Sequence, residues 1–167
     1  QGPLEIGELQ ESDAAAWTVS RDQNSRAALL TLIDTGNQAV SCMPEKLFKR
    51  LCRLHGHQYE LETYPAPIVG VGSKRIKVFG RLVKPLAIFF DNLREPAEIR
   101  FLVISSLAKH INIGLRDLEN LEVTLELSKK KGNFMNLRGG RIRLHGKQEA
   151  ASTAESQDPT QVLAYVN

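Results

Sequence analysis

The segment that decides the fold runs from Ala27 to Met43 and reads AALLTLIDTGNQAVSCM. An apolar run ends at Asp34, a Thr35-Gly36 turn follows, and a second run of mostly small and apolar residues begins at once. An aspartate is almost never buried without a partner. A strand ending on this residue must therefore hydrogen-bond the carboxylate heavily or use it in chemistry. The simpler alternative is a strand-to-turn cap, because Asp and Gly are common turn residues.

The composition predicts one globular domain with tails. The chain has 167 residues, 42% of them hydrophobic and 25% charged, which suits one packed core and is too short for two large domains. No apolar run approaches the roughly 18 to 20 residues of a membrane span, and the signal-peptide pattern is missing. We expect a soluble protein with free thiols at Cys42 and Cys52. A zinc site that adds His55 and His57 is disfavoured, because the cysteines are too far apart for familiar finger spacings.

The positive charge is concentrated near the C-terminus. The net charge is +3, and residues 129–147 carry 7 Lys/Arg and no acid, whereas residues 148–167 carry 3 acids and no Lys/Arg. The basic stretch Lys129–Lys147 could follow a nucleic-acid backbone. A solvated hairpin end and linker is the commoner explanation, because only Phe134 is present there to stack on a base.

Apolar periodicity predicts a mainly β domain with two helices. Residues 1–13 are expected to be an N-terminal tail, part of it consistent with an expression scar. The domain is expected over 14–137, and a basic and then linker-like tail over 138–167. The predicted strands are 14–20, 27–33, 59–63, 86–90, 99–104 and 111–114, with a last hairpin of 123–127 and 134–137. The predicted helices lie between Pro44 and Gly56 and over 115–121.

A second hairpin stands out over residues 67–80, reading PIVGVGSKRIKVFG. Two β-rich runs are hinged on Gly70 and Gly72 and joined by a polar tip. Glycines in such a hairpin allow either a β-bulge or the close passage of a ligand beneath it. The hairpin is therefore either a mobile cover over a site or an ordinary surface feature.

With these elements in order, the chain resembles the retropepsin family, the aspartic proteases of retroviruses and long-terminal-repeat retrotransposons. The resemblance rests on Leu32–Gly36, on the glycine-containing flap hairpin at 68–80, and on the strand, glycine and helix at Ile111–Leu118. The helix after the Asp-Thr-Gly turn and the hairpin after the last helix look more like the gypsy-like branch. The resemblance implies a mainly β subunit, a closed β-barrel or sheet with one or two short helices, active as a two-fold homodimer.

The chemistry of peptide hydrolysis explains the need for two copies. Hydrolysis without a covalent intermediate needs a base to take a proton from water and an acid to protonate the carbonyl oxygen. Two carboxylates that share one proton supply both. Because the chain contains one Asp-Thr-Gly, the second carboxylate must come from another copy, which an isologous homodimer provides.

The resemblance also implies roles for particular residues. Asp34 would activate water, Thr35 would form a grip across the dimer interface, and Gly36 would leave room for substrate. The expected substrate-binding residues are Asn37, Val69, Gly70, Val71, Gly72, Ser73 and Ile113. Asn37 replaces a usual alanine, so its side chain would either intrude on a subsite or hydrogen-bond its neighbours. Gly114 is the expected close-packing glycine, and neither a cofactor nor a metal is expected.

Two functions from different classes follow. The first is an aspartic endopeptidase that matures a retroelement Gag-Pol polyprotein, located in the cytoplasm or within virus-like particles, with itself and a peptide as partners. The second is a catalytically weak dimerisation or nucleic-acid-associated module that uses Lys129–Lys147. The intact Asp34-Thr35-Gly36 favours the first. The apolar segment Val162–Val166 could be a self-cleavage site or an added edge strand.

Overall fold

A computed structural model of the protein describes residues 4–5, 15–22, 25–69, 75–90 and 93–145. The described strands are β1 Leu4–Glu5, β2 Ala15–Asp22, β3 Ser25–Asp34, β4 Cys42–Pro44, β5 Leu61–Glu62, β6 Ile68–Val69, β7 Arg75–Ile76, β8 Val78–Leu82, β9 Leu86–Phe90, β10 Ala97–Ile99, β11 Leu102–Ile104, β12 Ile111–Gly114, β13 Thr124–Glu126, β14 Asn133–Leu137 and β15 Gly140–Leu144. The helices are α1 Glu45–His55 and α2 Leu115–Asn120. The predicted class, mainly β with two helices, is confirmed.

The main sheet is open, so the predicted closed barrel is wrong. Its nine described strands follow the order β10-β9-β2-β3-β12-β4-β11-β8-β5. The two end strands have 3 and 2 residues, respectively. Closure would require these edges to pair with each other along their length. Short edge strands instead limit unwanted pairing with other chains.

The centre of this sheet positions the Asp-Thr-Gly turn. Strand β12 pairs in parallel with β3, in a register that sets Gly114 opposite Asp34, and antiparallel with β4. Ile111 and Ile113 of β12 are fully buried. Parallel strands are normally covered on both faces, which agrees with this apolar run. The end of β3 therefore meets the start of α2 at one edge of the core.

Helix α1 matches its sequence signals. It begins after Pro44, whose fixed φ suits a helix start. It ends at Gly56, which has a φ of 62° in the left-handed region. Phe48, Leu51 and Cys52 are its buried side chains and pack into the main core. The predicted amphipathic helix between Pro44 and Gly56 is confirmed.

The sequence predicted that the run 99–104 forms one strand, but in the structure this run contributes to two strands. Ile99 ends β10, which pairs with β9, whereas Leu102 begins β11, which pairs with β4 and β8. Arg100 lies between them and donates from Nε to the Leu82 carbonyl oxygen at 2.9 Å. Because β10 and β11 are first and seventh in the strand order, the sheet must bend strongly to bring them together. Continuous hydrophobicity does not reveal such a change of pairing partner.

Two predicted boundaries were drawn too narrowly. The last hairpin, β13 and β14, is confirmed, but β15 also pairs with β14, so the domain continues past residue 137 to Leu144. Ile142 and Leu144 are buried in the main core, which explains why this strand belongs to the domain. At the other end, β1 pairs in parallel with β6, within the stretch predicted to be a tail. Val162–Val166 lies outside the described residues.

Candidate active site

Asp34 lies where β3 ends and the chain turns sharply. The Asn37 backbone N–H donates to the Asp34 carbonyl oxygen at 3.2 Å, which closes the turn. Asp34 is half-buried, whereas Thr35 and Gly36 are exposed. The core therefore presents one carboxylate at the surface, as a residue that reacts with an external substrate requires.

Two donors hold the two oxygens of this carboxylate. The Gly36 backbone N–H donates to Oδ1 at 3.0 Å, and the Asn112 side-chain Nδ2 donates to Oδ2 at 2.9 Å. A Cβ on Gly36 would lie 3.2 Å from Asp34 Oδ1, closer than ordinary van der Waals contact. A donor on each oxygen fixes the plane of the carboxylate. The simple strand-to-turn cap explains the bond from Gly36 but not the one from Asn112.

Asn37 is buried and forms hydrogen bonds with its neighbours, the second of its two expected behaviours. Its Oδ1 accepts from the Ala39 backbone N–H at 2.8 Å. Its Nδ2 donates to Asn112 Oδ1 at 2.8 Å and to the Val40 carbonyl oxygen at 3.3 Å. Direct substrate contact would require exposure of this side chain, which is 0% exposed in the subunit. Its place here is beneath the turn.

The strand and glycine that follow also lie beneath the turn. Ile113, a predicted substrate-binding residue, is 0% exposed and belongs to the main core. A Cβ added to Gly114 would lie 3.0 Å from the Asn37 carbonyl oxygen, which confirms Gly114 as a close-packing glycine. The Gly114 N–H donates to Ser41 Oγ at 2.9 Å, and Ser41 in turn donates to the Asp117 carboxylate. Helix α2 is thereby tied to the segment after the turn.

The base of the predicted flap is present as an antiparallel hairpin. Ile68 pairs with Ile76, and Val69 pairs with Arg75. Gly70, Val71, Gly72 and Ser73 lie outside the described residues. Their contact with substrate therefore stays a prediction, as does that of Val69.

Cys42 lies beside the site, across from Asn112 in the β4–β12 pairing. Burial, and secondarily the negative charge of Asp34, raises the pKa of the Cys42 thiol far above its usual range. The thiol therefore stays protonated at neutral pH and is a poor nucleophile. Across the described ranges, no group of three or more His, Cys, Asp or Glu residues is arranged to hold a metal ion.

Some basic side chains of Lys129–Lys147 contact groups of the domain itself. Arg141 donates from Nε to Glu126 Oε2 at 3.0 Å, and its guanidinium lies 3.6 Å from the centre of the Phe134 ring. Arg138 donates to the Pro96 carbonyl oxygen at 2.6 Å. These contacts place a guanidinium over the one aromatic ring of the segment. Nucleic-acid binding here stays a prediction.

Sequence reasoning missed Asn112 and the tie between Ser41 and Asp117. The available signal for Asn112 was a polar residue within the otherwise apolar run Ile111–Gly114, two residues before the close-packing glycine. No comparable signal marked Ser41, since a serine between Val40 and Cys42 is unremarkable in a chain turning into a helix. Its partner is 76 residues away in the sequence.

Comparison with solved structures agrees with this architecture. The chain is similar to the retroviral protease-like domain of Ddi1 from Leishmania major, with a TM-score of 0.59 and 15% sequence identity, over 84% of this chain and 99% of that one. The fold is retropepsin-like. At this identity the likeness concerns the fold alone, and the gypsy-like branch stays a prediction. No protein-family model and no curated protein matches the sequence.

Neither α1 nor α2, the helices of the described part of the chain, is long and apolar enough to cross a bilayer.

Proposed function

We propose that the chain is one subunit of an aspartic endopeptidase whose active site is completed by a second copy. The observation that carries this proposal is the Asp34 carboxylate, presented at the surface end of β3 and held by Gly36 N–H and Asn112 Nδ2 on a retropepsin-like fold. One carboxylate can act as a base or as an acid, but peptide hydrolysis needs both at once. A two-fold homodimer that brings two Asp34 residues together supplies the pair.

In this dimer the two Asp34 residues share one proton and activate a water molecule between them. The ionised member takes a proton from the water, whose oxygen attacks the peptide carbonyl carbon, while the protonated member gives its proton to the carbonyl oxygen. The first member then gives the proton it has taken to the amide nitrogen as the C–N bond breaks, and the other takes a proton back from the tetrahedral hydroxyl as the carboxyl product forms. We assign Thr35, which is exposed beside Asp34, to the contact with the partner subunit. The hairpin of β6 and β7 closes over an extended peptide and pairs with its backbone. We propose a retroelement polyprotein as the substrate.

Replacement of Asp34 by asparagine tests this function. Asp34→Asn keeps the size of the side chain but removes the ionisable group, so cleavage of a peptide library at about pH 4 to 7 should be lost. Gly36 N–H and Asn112 Nδ2 both donate, and an amide offers them one oxygen, so we expect a stability cost of about 1–3 kcal/mol. Circular dichroism should still show the native fold.

The matched control is Glu119→Gln, the same change of acid to amide at an exposed position of α2. It should leave cleavage unchanged, and a pepstatin-type inhibitor should block the wild type and the control alike. Cleavage at the wild-type rate by purified Asp34→Asn would refute the proposed function. Unfolding of Asp34→Asn would instead show that Asp34 is structural.

A further inference from the structure

A directed series of hydrogen bonds ends on the proposed catalytic carboxylate. It runs from the Ala39 backbone N–H to Asn37 Oδ1 at 2.8 Å, from Asn37 Nδ2 to Asn112 Oδ1 at 2.8 Å, and from Asn112 Nδ2 to Asp34 Oδ2 at 2.9 Å. Asn37 is 0% and Asn112 is 2% exposed, so water cannot readily substitute for these partners. We call these three bonds the amide relay.

The direction of the amide relay is set at its backbone end. A backbone N–H can only donate, so the atom of Asn37 that faces Ala39 must be the oxygen. The Asn37 NH₂ group then faces Asn112, whose oxygen must accept, and the Asn112 NH₂ group is left facing Asp34. Neither amide can flip without setting donor against donor. The polarity at Asp34 is therefore fixed by the chain itself.

The cost of burying these amides indicates what the relay does. Asn112 lies between Ile111 and Ile113 in β12, where an amide without partners would cost several kcal/mol relative to water. An apolar residue of similar volume would fill the same space without that cost. The bond to Asp34 Oδ2 opposes rotation of the carboxylate, since Gly36 N–H already holds Oδ1. The relay thus turns a half-buried side chain into one of fixed orientation.

We propose that Asn112 is a positioning residue for Asp34, held in its orientation by Asn37, an inference that rests on the proposed endopeptidase function. The amide sets the plane in which the two carboxylates of the dimer meet. It acts on the chemical step rather than on peptide binding, because it lies beneath the carboxylate and is itself buried. A misplacement of about 1 Å at a reacting group can cost roughly a hundredfold in rate.

Asn112→Leu tests this role, because leucine has the same number and branching of side-chain heavy atoms as asparagine and no donor. We expect kcat to fall by roughly ten- to a hundredfold, with KM within about twofold of the wild type. The matched control is Thr31→Val, which removes a buried hydroxyl that donates to the Leu29 carbonyl oxygen in neighbouring β3. Thr31→Val should lose comparable stability and keep kcat. An unchanged kcat in folded Asn112→Leu would overturn the proposal, as would an equal loss in Thr31→Val.

A second measurement does not depend on activity or on the folding of Asn112→Leu. The side-chain amide signal of Asn112 in a ¹H–¹⁵N NMR spectrum should shift in Asp34→Asn and stay unchanged in Thr31→Val. An Asn112 side-chain amide signal that does not shift in Asp34→Asn would overturn the proposal. If the wild-type protein cleaves nothing, the endopeptidase function and the kinetic role of Asn112 both fail, whereas a shifted signal would still establish the bond between the two residues.

Discussion

Replacement of Gly114 by alanine should damage both the fold and the site. The backbone of Gly114, with φ −85° and ψ 170°, is an ordinary extended conformation, so alanine meets no dihedral strain. The added Cβ, however, would lie 3.0 Å from the Asn37 carbonyl oxygen, 3.1 Å from its Nδ2 and 3.2 Å from its Cγ. Ordinary contacts begin at 3.4 Å, so Asn37 must move by several tenths of an ångström.

Asn37 has little freedom to make this movement. It is fully buried, its carbonyl oxygen accepts from the Leu115 N–H at 2.8 Å, and its side chain forms part of the amide relay. Overpacking of this kind costs about 1–3 kcal/mol. For a domain of this size, that corresponds to a fall in Tm of roughly 2–12 °C. The displacement should also pass through Asn112 to Asp34 and lower kcat.

The assay compares Gly114→Ala with Gly56→Ala. Gly56 has a φ of 62° and no atom within 4 Å of an added Cβ, so alanine there costs about 1–2 kcal/mol through backbone conformation alone. Thermal unfolding should show a comparable loss in both variants, whereas peptidase activity per folded molecule should fall only in Gly114→Ala. Wild-type stability and activity in Gly114→Ala would refute the reasoning from this contact.

Three further predictions concern pH, the anchoring of α2 and assembly. Because burial and then the charge of Asp34 raise the pKa of Cys42 in the folded state, the unfolded chain loses this proton first, above about pH 8.5. The free energy of unfolding should therefore fall as the pH rises beyond that value, and it should fall less steeply in Cys42→Ala. Denaturant titrations from neutral pH upward measure both slopes, and equal slopes in the wild type and Cys42→Ala would contradict this prediction. Ser41→Ala leaves the buried Gly114 N–H without its acceptor and removes the bond to Asp117. Urea unfolding should therefore show a loss of about 1–3 kcal/mol in the free energy of unfolding. An unchanged free energy of unfolding would show that these two bonds do not stabilise the fold. Peptidase activity per molecule should fall on dilution as dimers dissociate, and a protein that sediments as a monomer with concentration-independent activity would exclude the two-carboxylate site.

The sequence alone was sufficient to predict an element where local signals and burial agree. Pro44 and Gly56 bracket α1 because one fixes φ for a helix start and the other tolerates a left-handed end. Continuous apolar runs located β9 and β12; three of the five residues of β9 and all four of β12 are buried. Asp34 could be singled out because a charge at the end of an apolar strand needs a structural or chemical reason. These inferences use neighbours within a few residues.

Sheet order could not be predicted in the same way. Apart from Arg100 the run 99–104 is apolar, yet its two ends join distant parts of the sheet. Hydrophobicity records that a residue is buried, not which strand it pairs with. Strand β15 was assigned to a tail for a different reason. Its alternate residues Arg141 and Arg143 are exposed, so the basic character of one face hid the burial of Ile142 and Leu144.

Asn37 and Asn112 show most clearly what requires a three-dimensional structure. Each amide looks unfavourable when considered alone. Asn37 stands where the resemblance to retropepsins implies an alanine, and Asn112 lies inside an apolar strand. They are 75 residues apart in sequence, yet Asn37 Nδ2 lies 2.8 Å from Asn112 Oδ1. Burial of either amide without the other would leave polar atoms unpaired, whereas together they satisfy one another and present a donor to Asp34. The two residues are therefore best understood as one compensated feature of the candidate site.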